Sequence, residues 1–193
     1  MLPSFAFLVA ALILAVTPGP GIAYVVARTA AGGRAEGLAS CVGTALGGML
    51  HVGAAAFGLS VLLARSAAAF SVVKYLGAAY LVYLGIRLLL SKAAPRPLHA
   101  SSTGPRRALL EGVLVEALNV KTALFFLAFL PQFLASGPSV VMQLVVLGTV
   151  CVVLNTLVDV VAVLGAARLL LHQASGITLL SLGLYVAASR RGA

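Results

Sequence analysis

Acidic side chains are almost missing from this chain, with 4 Asp and Glu among 193 residues, and charged residues of both signs reach only 9%. A soluble domain carries about a quarter charged residues, so a water-facing surface all round is excluded. Hydrophobic residues make up 62% of the chain and the mean hydropathy is +1.13, the composition of an integral membrane protein. Cysteine is scarce too: Cys41 and Cys151 stand in separate apolar segments, without Cys-x-x-Cys spacing or a histidine cluster, and read as small packing residues. No nucleotide-binding loop, nucleophile elbow or metalloprotease pattern occurs, which argues against an enzyme and against ATP-driven transport within this chain. The first residues, Met1 to Ser4, lack the basic group of a cleavable signal, so the first helix is expected to stay. The net charge of +9 is spread over loops rather than gathered with aromatics on one face, so no nucleic acid partner is expected.

At about 20 residues per span, the chain holds six helices and one membrane domain, 1–193. Apolar runs put the spans near 4–27, 38–63, 70–90, 108–134, 139–167 and 174–189. Residues 91–107, rich in proline and arginine, form a polar loop between a first half of about 1–90 and a second of about 108–193. Arg28, Arg34, Arg87, Lys92, Arg96, Arg106, Arg107 and Arg168 fall on one side of this threading, against Arg65, Lys74, Arg190 and Arg191 on the other. The excess marks the first side as cytoplasmic and puts both termini outside. Small-residue motifs recur in order between the halves: Thr17-Pro18-Gly19-Pro20 is matched by Asn119-Val120-Lys121-Thr122, Gly43 by Gly148, and Gly85 by Gly183. With an odd number of spans per half, such a repeat is inverted, a construction common in secondary transporters. Gly43, Gly47, Gly77, Gly85, Gly148 and Gly183 are the expected helix-packing positions. Apolar surface facing lipid looks the same as apolar surface facing a second subunit, so a homodimer is compatible with the sequence.

The proline pair Pro18 and Pro20, with Gly19 between, interrupts the first apolar run where a span should be most regular. Each proline removes a donor, and in lipid the freed carbonyls need another partner. Residues after Pro20 start a new half-helix whose amide groups suit an anion such as an amino-acid carboxylate. Asp159 lies deep in the fifth run, where an acid costs about 2.5 kcal/mol upward and so faces a partner or a cavity. It is the leading candidate for proton coupling, with Asn155, one turn earlier, as a prospective hydrogen-bond partner. Glu116 and Asn119 share a face of the fourth helix. Lys121 points elsewhere unless that helix is interrupted; it then pairs with Glu116 or Asp159 or receives a substrate carboxylate. His51 ends a small-residue stripe on the second helix and either titrates in a proton path or holds a neighbouring helix. The residues thus form a substrate set of Thr17, Pro18, Gly19, Pro20, His51, Asn119 and Lys121 and a coupling pair of Asp159 and Glu116, with neither metal nor cofactor.

Thr17 to Pro20, the Gly43/Gly47/His51 pattern, Gly77 to Gly85 (GAAYLVYLG), and Asn119-Val120-Lys121 followed by Phe125 to Phe133 (FFLAFLPQF) together resemble the LysE/RhtB family of lysine and homoserine/threonine exporters. The resemblance spans nearly the whole chain. It implies a bacterial inner-membrane exporter of amino acids or their derivatives, driven by the proton motive force. This chain departs from the family pattern in having Val120 where Asn-Pro-Lys is usual, which predicts a weaker second break. It also carries Glu116 where a neutral polar residue is expected, and a shorter connection at 168–175. A metal-cation exporter and a transmembrane thiol carrier using Cys41 and Cys151 are the rival readings.

Overall fold

The computed structural model describes residues 3–59, 66–90, 101–135 and 139–165, and every described element is helical. Helix α1, Phe5–Val16, starts where the Ser4 hydroxyl accepts from Phe7 N at 3.2 Å. It ends at Thr17, whose extended ψ of 118° is the conformation a following proline imposes. Helix α2, Pro20–Ala54, begins with Pro20 in its first turn, the one place where the missing N–H costs nothing. The first predicted span, 4–27, is therefore two helical pieces separated by Thr17, Pro18 and Gly19.

Helix α2 does not run straight. At Gly33 the backbone takes φ 74° and ψ −171°, a region essentially reserved for glycine, and the chain doubles back. Gly37 packs on Thr29, and both Gly21 and Gly47 face Glu116; a straight helix would hold the first pair about 12 Å apart and the second about 39 Å. The two arms, 20–32 and 34–54, thus reproduce the expected separation between the first and second runs. A π-helical turn, Ala55–Leu59, extends the second arm.

Helix α3, Ala67–Leu90, occupies the third predicted run. Helix α4, Pro105–Ala117, is followed after Leu118 and Asn119 by α5, Val120–Leu124, which continues as a π-helical turn over Phe125–Phe129 and a 3₁₀ turn over Leu130–Phe133. The axis bends by 43° at that interruption. Helix α6, Val140–Val163, is the fifth run. By length and composition two described helical stretches suffice to cross a membrane, Pro20–Gly58 and Val140–Val163, and three if the bent pair is one span. The sixth predicted run and Gly183 lie outside the described residues, as does most of the polar loop.

Helix α4 packs between the arms of α2, and α6 lies against α2 and α1. In lipid the hydrophobic effect does not join helices, so close backbone approach must. Gly43 lies against the Leu109 carbonyl and Gly112, and a Cβ at Gly47 would stand 2.6 Å from Val113 O. Gly77 meets Ala128, Gly148 meets Phe126 and Val52, and Gly85 falls within α3. The main core is aromatic: Phe7, Phe125, Phe126 and Phe129 are fully buried beside Leu14, Leu130 and Leu144. Ring centroids are 5.3 Å apart for Phe7 and Phe133 and 4.9 Å for Phe125 and Phe129. Cys151 belongs to this core, whereas Cys41 sits in a separate small cluster with Val25 and Val163; both thiols are free.

Candidate functional site

Both helix breaks release backbone carbonyls, and in both a cationic or imidazole side chain from another element takes them up. Pro18 has no N–H to offer Leu14 O. The Lys121 ammonium donates to Leu14 O at 3.2 Å and to Thr17 O at 2.9 Å instead. Thr17 closes the remaining end, its hydroxyl donating to Ile13 O at 2.7 Å. At the second break, the Glu116 carbonyl meets His51 Nε2 at 2.8 Å, so that nitrogen carries the proton. His51 also stands 6.0 Å, centroid to centroid, from Phe126. The second break forms without a proline because Asn119 caps α5: its side-chain oxygen accepts from Lys121 N at 3.1 Å while its amide donates to Glu116 Oε2 at 2.9 Å. The valine at 120 does not weaken it into a continuous helix.

Between the breaks lies a cavity lined by the polar residues Thr44, Glu116, Asn119, Lys121, Thr122, Asn155, Thr156 and Asp159 together with Ala15, Gly21, Ile22, Ala45, Gly48, Phe126 and Val152. Its volume of ≈ 30 Å³ suits one or two waters. Both Glu116 oxygens are engaged, Oε2 by Asn119 and Oε1 by the Thr122 hydroxyl at 2.6 Å. Asp159 Oδ2 accepts from the Thr44 hydroxyl at 3.0 Å, and among the described residues Oδ1 accepts nothing. Glu116, Lys121 and Asp159 are all at least nine-tenths buried. Among the described residues no ion pair joins any two of them.

Of the residues singled out from the sequence, the structure brings Glu116, Asn119, Lys121 and Asp159 to one cavity. Thr17, Pro18, Gly19, Pro20 and His51 stand behind its wall rather than on it, because Lys121 and His51 are spent on the broken ends. Asn155 is not the partner of Asp159; it donates to Cys151 O at 3.2 Å, and Thr44 from α2 takes that role. Thr44 and Thr122 were not selected from sequence, although Thr44 follows Gly43 as Thr149 follows Gly148.

A second polar cluster lies apart from the cavity. At the turn of α2, Glu36 Oε1 accepts from the Ser102 hydroxyl at 2.6 Å, Thr103 N at 3.0 Å and Gly104 N at 2.8 Å. Arg28 donates to Ser101 O at 3.0 Å, to the Thr103 hydroxyl at 2.8 Å and to Glu111. Glu111 also takes Arg107 at 2.8 Å, and Tyr24 donates to Ala108 O at 2.8 Å. The strap 101–104 that leads into α4 is thereby tied to the turn at Gly33. Spacing offered one hint, the i,i+4 pair Arg107 and Glu111.

Apolar helices interrupted around a buried, charged cavity are the construction of a membrane transport protein. The chain belongs to the LysE type translocator family, whose model matches residues 12–189. It is 31% identical over 167 residues to a homoserine/homoserine lactone efflux protein of Salmonella typhimurium, covering 86% of this chain and 79% of that one. It is also 30% identical over 130 residues to a leucine efflux protein of Salmonella choleraesuis, covering 66% and 61%. An uncharacterized membrane protein of Vibrio cholerae is 32% identical over 157 residues, covering 79% and 75%. No solved structure matches the chain.

Proposed function

We propose that the protein exports amino acids or their derivatives from the bacterial cytoplasm by alternating access, in exchange for protons. The observation that carries this reading is the cavity on which Glu116, Lys121 and Asp159 converge without pairing. An amino acid offers the complementary pair: its carboxylate draws Lys121 from the α1 carbonyls, and its ammonium approaches the open oxygen of Asp159. The relatives named for homoserine and leucine efflux support an amino-acid substrate. A cavity of ≈ 30 Å³ is closed to any amino acid, so loading requires the walls to part. One break in each half of the chain supports an inverted repeat of three helices per half, and the excess of basic residues on one side of the threading supports both termini outside.

Purified protein in proteoliposomes loaded with leucine or homoserine tests the reading. Efflux should accelerate when the outside is acidified, and Asp159→Asn should lose that acceleration. Flux indifferent to the gradient and unchanged in Asp159→Asn would sink proton coupling; absence of amino-acid flux would sink export.

A further inference from the structure

The cavity is sealed unequally at its two ends. On the side of α1, α5 and the first half of α6 stands the aromatic core, with Phe7, Phe125, Phe126 and Phe129 fully buried. On the side of the strap 101–104 the seal has two thin layers. One turn beyond the cavity residues Gly21, Thr44 and Asp159, on the same helices, come Val25, Cys41 and Val163, which form a cluster of their own. Three or four helical positions put this plug about 5–6 Å beyond the cavity. A further turn on, Arg28 and Glu36 hold the strap, and Arg28 also joins Glu111 of α4. Tyr24 ties the first arm of α2 to α4 in the same layer through Ala108 O. This polar layer is incompletely satisfied. Glu36 Oε1 takes three donors, while Oε2 is buried and accepts no hydrogen bond among the described residues, with Arg28 Nη1 3.8 Å away. A buried carboxylate oxygen left without a donor is costly and regains water when its surroundings open, so the closed layer carries a bias toward release.

We propose that this end is the gate through which the cavity is loaded: Arg28, Glu36 and Glu111 latch it through the strap, Val25, Cys41 and Val163 seal it, and release of the strap opens it. The inference rests on the export reading above and, with the arginine excess that marks this side as cytoplasmic, names the route by which substrate enters. Opening here separates three apolar side chains of modest size, whereas the opposite route would unpack four phenylalanines. The bonds that must break join side chains to a loop, and water replaces them once the layer opens. No helical ladder is disturbed.

The two cysteines of the chain are native reporters, Cys41 in the plug and Cys151 in the aromatic core. Inside-out membrane vesicles present the cytoplasmic face to a membrane-impermeant thiosulfonate, which should label Cys41 of the Cys151→Ser protein. Ser102→Ala or Glu36→Gln should raise that rate about tenfold, the weight of one hydrogen bond in a local opening. Cys151 in the Cys41→Ser protein should stay unlabelled throughout. Ser102→Ala is the milder change and decides the outcome should Glu36→Gln not fold. A Cys41 rate that ignores the variants, that is higher from the periplasmic face of spheroplasts, or that rises together with Cys151 would overturn the gate. In Cys41→Ser, Cys151→Ser protein, a short reducible cross-linker joining Ala35→Cys at the turn of α2 to Ser101→Cys in the strap should stop leucine and homoserine flux, with recovery on reduction. Flux that persists in the cross-linked protein would also overturn the gate. Absence of flux before cross-linking would instead overturn the export reading, with the labelling rates still deciding whether this end opens.

Discussion

Lys121 is a residue whose identity was legible and whose partner was not. The sequence marks it as a lysine in an apolar run, and charge logic offers an acid or a substrate carboxylate as its mate. In the structure it bonds instead to carbonyls more than a hundred positions earlier, because a missing proline N–H is a vacancy in the backbone that no side-chain pattern announces. Lys121→Met keeps most of the volume and removes both donors. The orphaned Leu14 and Thr17 carbonyls should cost about 1–3 kcal/mol each, seen as a lower melting temperature of the detergent-solubilised protein together with lost export. A melting temperature equal to wild type would mean that the carbonyls do not depend on Lys121.

Among the elements, both interruptions were readable, but the reason for the second was not. Loss of the usual proline predicts a weaker break, yet the axis bends by 43° there. Asn119 accounts for it by capping α5 and holding Glu116, so the bend is set by side-chain bonding. Position 120 is then the first residue of α5, with no hydrogen bond to lose at its N–H among the described residues, and Asn119 at φ −75° and ψ 99° suits a following proline. Val120→Pro should be accepted and raise stability by about 0.4–1 kcal/mol through the unfolded chain, detectable as a small upward shift in melting temperature with export retained. A large loss would show that the valine makes contacts the cap cannot replace. The glycine reversal at Gly33 was likewise visible only as a gap between two apolar runs, since a positive φ leaves no trace in hydropathy.

At the scale of the whole molecule, the all-helical membrane architecture follows from composition alone, because nothing else hides so many apolar residues and so few charges. The convergence of Glu116, Lys121 and Asp159 follows only from packing, which periodicity does not encode. The strap 101–104 is the clearest case: its binding by Glu36 and Arg28 joins residues more than sixty positions apart. Glu36→Ala removes the acceptor for three donors and should loosen the strap by about 1–3 kcal/mol. Hydrogen exchange at the Thr103 and Gly104 amides should then rise by one to two orders of magnitude, while amides in α6 stay protected. Uniform deprotection would instead mark general unfolding.

The interruptions at residues 17–19 and 118–119 also bear on how the walls of so small a cavity separate. Bending an intact helix inside a bilayer breaks backbone hydrogen bonds that no water can replace. Here the ladder is already open at both places, and its loose ends are held by the side chains of Thr17, Lys121, His51 and Asn119. Side chains follow a moving carbonyl by turning about their own torsions. If the walls part as the proposed export cycle requires, the two breaks are the places where the chain can flex without surrendering helical bonds, and their tethers set how far it turns.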